Sequence, residues 1–176
     1  MQAFVNSRDP HAGTDELSSP AGLADWMARH NMDPAKTPPD EATWHDALAV
    51  RDGLQAVLRA HNGVRLDGAV LERLNQALEG MTARARFESD TSLHLEAPAQ
   101  GWPAALGRLL DAIVEAMASG QWERFKACRD ESCQMAFFDA SRNRMGKWCT
   151  VRRCGNRTSA RTYRRRGPKW QRGARR

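Results

Sequence analysis

The first 127 residues of this 176-residue chain contain no cysteine, so any thiol chemistry belongs to its last quarter. Uninterrupted apolar runs are short, far below the ~18 residues a spanning helix needs, which excludes a membrane-crossing segment. The N-terminal stretch carries Arg8, Asp9, Asp15 and Glu16 where a secretory signal would need an apolar core, and the expected location is the cytoplasm. No HExxH, GxSxG, P-loop or GxGxxG occurs, and the five histidines (11, 30, 45, 61 and 94) show no paired metal spacing, so no enzyme is expected. Acidic residues are scarce at one end only. Residues 121–176 hold 17 Lys+Arg against 4 Asp+Glu, a net +13, whereas residues 1–120 hold 10 against 17, a net −7. A basic segment of that kind suits a polyanion and the acidic remainder does not.

What is present reads as a folded globular protein, with 41% hydrophobic and 27% charged residues and a length that allows one large domain or two small ones. Ser19-Pro20 is a cap followed by proline at a first helical position, and Leu23, Trp26, Met27 and His30 recur at helical spacing. After a proline-containing loop, Trp44, Leu48, Leu54, Val57, Leu58 and His61 mark a longer helix. Asp67 then precedes the stripe Val70, Leu71, Leu74 and Leu78. Between residues 83 and 97 the period changes to two, as in a β-hairpin. A last helix opens at Trp102-Pro103, turns Leu106, Leu109, Leu110, Ile113, Val114 and Met117 inward, and closes at Ser119-Gly120. The charge sign flips there, which places a domain boundary at residue 120. Dense apolar contact across it, of Leu110 or Ile113 with Phe137 or Trp148, is not expected beyond a few linker residues.

Cys128, Cys133, Cys149 and Cys154 read C-x4-C-x15-C-x4-C. Two close pairs joined by a hairpin-length spacer form a natural framework for one tetrahedral ion, and zinc takes four such thiolates. Two disulfides would suit an exported protein, and an iron–sulfur cluster is the other metal-bound alternative. Four thiolates around Zn²⁺ carry a net charge of −2. Lys126, Arg129, Arg152 and Arg153 can offset that charge, yet most of the positive excess remains beyond it. Phe137, Phe138 and Trp148 are expected to form a small finger core.

The segment from Cys128 to Cys154-Gly155-Asn156-Arg157, with Phe137, Asp139, Ser141, Arg142 and Asn143 and the Trp148-Cys149 pair, resembles the CGNR zinc-finger family. Phe4-Val5-Asn6-Ser7 and Leu23-Ala-Asp-Trp26 resemble the ABATE domain that commonly precedes this finger. The resemblance implies one structural Zn²⁺ and a transcriptional regulator. The expected fold is mainly α, with a small β-hairpin in an N-terminal domain over 1–120. A small C-terminal four-cysteine zinc finger with a following basic helix occupies 121–166, and 167–176 form a basic tail, disordered until it meets nucleic acid.

From Asn156 onward the chain can continue as a helix to Gly167-Pro168, with Arg157, Arg161, Arg164 and Arg165 on one face. Such a face can follow phosphates or enter a major groove. Arg142, Arg144 and Arg157 are the candidates for base or groove contacts. Lys147, Arg152, Arg153, Arg161, Arg164, Arg165 and Arg166 complete the candidate nucleic-acid surface. Gly155 is expected to let the backbone turn closely around the Cys154 sulfur, and Asn156 to cap the helix. DNA is the expected partner. The alternatives are RNA or a ribosome-associated role, and an enzyme with its site in residues 1–120. Arg51, on an otherwise apolar helix near Trp26 or Trp44, reads either as a structural arginine or as the anchor of an anionic effector. Oligomeric state and effector identity are not legible.

Overall fold

In the computed structural model, residues 1–32, 38–79, 84–87, 89–91, 93–96 and 101–166 are described. The expected tail at 167–176, with its Gly167-Pro168 stop, lies outside them, as do parts of the proline loop and the ends of the expected hairpin.

Helices start where a side-chain oxygen can satisfy an orphan N–H. After a short first helix, α1 (Gln2–Val5), strands β1 (Arg8–Asp9) and β2 (Thr14–Asp15) pair antiparallel, Arg8 opposite Asp15. Ser19 Oγ accepts from the Gly22 N–H at 3.1 Å to open α2 (Pro20–Arg29). Asp40 accepts from the Thr43 N–H at 2.8 Å to open α3 (Glu41–Ala60), and Asp67 from the Ala69 N–H at 2.9 Å to open α4 (Gly68–Glu79). Strands β3 (Arg84–Phe87) and β4 (Leu93–Glu96) form the expected antiparallel hairpin, with Arg84 opposite Glu96, and α5 (Gly101–Ala118) follows. A 3-10 turn at Trp122–Arg124 leads into β5 (Phe125–Ala127), which pairs with β6 (Ala136–Phe138). A wide π-type turn, Val151–Gly155, feeds directly into α6 (Asn156–Arg166). The chain is therefore mainly α, with a small hairpin and a C-terminal cysteine finger followed by a basic helix. No helix among the described residues is long and apolar enough to cross a membrane.

The core is built around α3. Ala47, Val50, Leu54 and Leu58 are buried along it, and Gly53 lets α4 approach so closely that a Cβ there would stand 2.7 Å from Leu74 Cβ. Phe4 sits between Trp26 and Trp102, with ring centroids 5.3 and 5.7 Å away, which is why the four-residue α1 is held in place. Of the α4 stripe only Leu74 is fully buried. On α5, Leu106, Leu109 and Ile113 face inward as expected, but Val114 and Met117 are about half exposed, because the apolar arc is wider than the neighbouring surface that covers it. His30 likewise stands on the surface and stacks on Trp26 at 4.0 Å.

The junction nonetheless involves more than the linker, although neither Phe137 nor Trp148 belongs to the main buried cluster. Ala127 and Ala136 belong to the same buried cluster as Leu54 and Trp102, and Trp122 and Phe125 pack against it. Polar side chains fasten the junction. Asn6 donates to the Ala136 carbonyl at 2.9 Å and accepts from its N–H at 2.7 Å, so the amide acts as one more peptide unit beside β6. Asn62 donates to the carbonyls of Ala127 and Lys147 at 2.9 and 3.0 Å. His61 Nδ1 lies 2.8 Å from the Phe125 carbonyl, which can only accept, so that nitrogen carries the proton. Sequence periodicity registers apolar stripes, and polar clamps of this kind leave no period to read.

Candidate metal centre and basic helix

The first cysteine pair is shaped by a tight turn. The Cys133 and Gln134 N–H groups donate to the Asp130 carbonyl at 2.8 and 3.1 Å, and Gln134 takes a positive φ of 55°. The Cys128 N–H donates to the Met135 carbonyl at 2.9 Å, closing the knuckle. Of the second pair, Cys149 precedes the π-type turn and Cys154 lies on it, where the Cys154 and Gly155 N–H groups both reach the Thr150 carbonyl, at 3.0 and 3.4 Å. The four Sγ atoms consequently lie within 4.8 Å of one another, with Cys133 to Cys149 at 3.5 Å and Cys149 to Cys154 at 3.7 Å. None is disulfide-bonded. A tetrahedron with metal–sulfur bonds of about 2.3 Å has edges of about 3.8 Å, so the donor set fits one zinc ion.

The electrostatics agree with that fit. Burial pushes the Cys149 thiol up to about 12 and the Cys133 thiol higher still, so these two disfavour thiolate until a cation neutralises them. A divalent metal reverses this and deprotonates the sulfurs. Met135 and Trp148 pack beside the buried cysteines. Gly155 has a different role from the one expected. A Cβ there would meet Trp148 Cδ1 at 3.1 Å, so the glycine makes room for the indole. Asn156 is already helical, at φ −63° and ψ −42°, because the π-type turn runs into α6 without a break and needs no cap there. The small finger core is also less aromatic than expected. Phe138 is exposed and touches Phe125 edge-on at 5.0 Å, while Phe137 is only partly buried.

Two buried carboxylates hold the finger. Asp130 accepts from the Ser132 N–H and hydroxyl, and its other oxygen takes Arg157 Nε at 2.8 Å. Arg161 Nη1 adds a contact at 3.3 Å. Burial alone would raise Asp130, but the Ser132 and Arg157 donors outweigh it and hold it below the usual carboxylate value. Arg157 also reaches Cys154 Sγ at 3.8 Å, and although desolvation lowers its pKa, Asp130 and the nearby Cys154 raise it above the usual arginine value. Asp139 is paired with Lys126 at 2.7 Å and accepts from the Ser141 N–H at 3.1 Å and the Gly146 N–H at 2.7 Å. Burial again opposes ionisation, yet these donors hold its carboxyl well below the usual carboxylate range. A Cβ on Gly146 would stand 2.7 Å from that carboxylate. Lys126 is therefore the partner of Asp139 and not a counter-charge for the metal.

The remaining candidate cations spread over the surface. Arg142, Arg144 and Lys147 are exposed on the loop between β6 and Cys149, Arg152 and Arg153 on the π-type turn, and Arg164 and Arg165 at the far end of α6. Nothing is described of the Arg166 side chain, although its backbone ends the helix. Arg129 is exposed and Arg153 contributes to the field that keeps Asp9 ionised, after the N–H groups of His11 and Ala12. Arg51 is buried and bonded to Asp15 at 2.6 Å and Asp52 at 3.3 Å, which makes it structural. Sequence reasoning missed Asp130 and Asn62, and named Asn6 only within the Phe4–Ser7 resemblance, without its role at β6. Asp130 carried one available signal, an Asp two residues before Ser132 inside the first C-x4-C turn.

Fold and site together define a helical N-terminal unit continued by a four-cysteine zinc finger. Residues 1–120 match the family ABATE, described as a putative stress-induced transcription regulator, and residues 124–167 match the CGNR zinc finger. The chain belongs to the ABATE family and carries a CGNR zinc finger that holds one zinc. Comparison with curated proteins gives no match.

Proposed function

We propose that the protein is a DNA-binding transcriptional regulator of the cytoplasm, in which residues 121–166 read DNA and residues 1–120 mediate effector binding or interactions. The observation that carries this reading is α6. It presents Arg164 and Arg165 to solvent, contains no acid, and is anchored through Arg157 and Arg161 to Asp130 beside the cysteines. Cations on a metal-fixed scaffold lose less entropy on binding than cations on a free tail. Arg142, Arg144 and Arg157 remain the candidates for base or groove contacts. Arg157 has less freedom than the other two because it serves Asp130. The metal's role is structural, since four thiolates leave no open position for water.

The test is binding to duplex DNA over a range of salt. Neutralising about six phosphates gives a log K against log salt slope near −5. Arg164→Ala with Arg165→Ala should weaken binding on every sequence and flatten the slope by about two units if each contacts one phosphate. Substitution of Arg142 and Arg144 should narrow the gap between a selected operator and random DNA. Tighter retention on structured RNA than on duplex DNA at matched salt would favour the RNA-associated reading.

A further inference from the structure

A cleft of about 410 Å³ lies between α3 and α4, next to β1. Its walls combine apolar surface from Leu48 and Val70 with three cations, Arg8, Arg59 and Arg73, and one carboxylate, Asp52. The carboxylate is already engaged by Arg51 Nε at 3.3 Å. Among the described residues nothing pairs with the side chains of the three arginines, and Arg59 Nε is buried with no hydrogen-bond partner at all. A buried guanidinium N–H is ordinarily bonded, so an orphan one at the wall of a cleft marks a place where an acceptor belongs. The volume falls within the range of small-molecule sites, about 300–1,000 Å³, and exceeds what a bare inorganic anion fills.

We propose that this cleft binds a small organic oxyanion, a carboxylate or phosphate monoester carrying an apolar body. The Arg59 guanidinium takes the anion, Arg8 and Arg73 close around it, and Leu48 and Val70 hold the body. Guanidinium forks match both oxyanions, and among the described residues none of the three is paired with an acid or a carbonyl. The cleft also touches the finger. Gln55 lines it and donates to the Gln134 carbonyl of the first knuckle at 3.4 Å, and Arg59 lies within one turn of His61 and Asn62, which fasten β5. Regulatory use of such a ligand rests on the DNA-binding reading above, whereas its binding does not.

The experiment is a methyl NMR titration of the zinc-loaded full chain, following Leu48 and Val70, with phenyl phosphate, benzoate, inorganic phosphate and neutral phenol as probes. Phenyl phosphate or benzoate should give saturable shifts at both residues, phenol none, and inorganic phosphate weaker binding than its phenyl ester. The tighter of the two organic anions identifies the headgroup. Arg59→Gln should weaken that anion by about tenfold or more, and so should the doubly substituted Arg8→Gln, Arg73→Gln chain, whose changes are at the surface and leave the core untouched. Arg164→Ala with Arg165→Ala should leave this binding unchanged, which separates the cleft from the basic helix. Absence of saturable shifts at Leu48 and Val70 up to about 10 mM of every anion overturns the proposal. Undiminished affinity in the Arg8→Gln, Arg73→Gln chain overturns it equally. DNA retention by the same variants is read separately, so loss of one reading does not imply loss of the other.

Discussion

Asp139 shows how one buried acid can decide the stability of the finger. Its partner Lys126 is also buried, so removing the carboxylate charge strands an ammonium in the interior, and an amide in its place keeps one acceptor oxygen where Ser141, Gly146 and Lys126 use two. Breaking one side of a buried pair costs about 3–5 kcal/mol, and Asp139→Asn should lower the denaturant-unfolding free energy by that order. The double change Asp139→Leu, Lys126→Met should recover much of it, since the pair's worth lies largely in not being broken. The pH dependence has a definite sign. The native carboxyl is depressed below the unfolded value of about 3.9, so the unfolded chain binds the proton more tightly. The stabilisation is fully present above that unfolded value and is lost as pH falls through the native one. The stability gap between the parent chain and Asp139→Asn should therefore be constant near neutrality and shrink in acid, as urea midpoints at successive pH values would show. A gap independent of pH would mean that hydrogen-bond geometry matters there and charge does not.

At the scale of elements, the helix α6 depends on the metal site and the metal site depends on it. Arg157 bonds Asp130 in the first knuckle and approaches Cys154 Sγ in the second, so it ties both ligand-bearing turns together. Outer-shell partners of this type commonly change metal affinity by about 10–100-fold. Arg157→Ala should accelerate zinc release to a competing chromophoric chelator by that order, whereas Arg164→Ala, exposed and outside this network, should leave it unchanged. Much of this architecture was legible in the chain. The capping oxygens of Ser19 and Asp67, the period-two stretch between residues 83 and 97 and the paired cysteines each follow local rules, and within the described residues each appears where those rules put it. What escaped is non-local. Strand β5 is three residues long and exists because β6 and α3 cover it, and Asn6 finds Ala136 only after 130 intervening residues have folded. Val114 and Met117 fit a helical stripe perfectly well, but a stripe does not say how much of it a neighbour covers.

Over the whole molecule, an acidic part and a basic part share one buried cluster, and the zinc site stands at its edge. The metal's binding energy is folding energy for the turns that carry the cysteines, and β5 and β6 link those turns to α3 and α1. Loss of zinc should therefore destabilise more than the finger. Strong chelation is expected to lower the melting temperature of the helical signal and of the finger together, in one transition, and not to leave residues 1–120 at their original stability. The clamps supply the complementary arm. Asn6→Ala removes both bonds to Ala136 and strands its buried backbone groups, a cost of about 1–3 kcal/mol, and Asn62→Ala frees the carbonyls of Ala127 and Lys147. With both changes made, the zinc-dependent and zinc-independent parts should separate into two transitions, followed by far-ultraviolet dichroism against tryptophan fluorescence during chelation. If the parent chain already melts in two steps, with the helical one indifferent to metal, then the shared cluster does not couple them. An effector in the α3–α4 cleft would in that case have no mechanical route to α6 through β5.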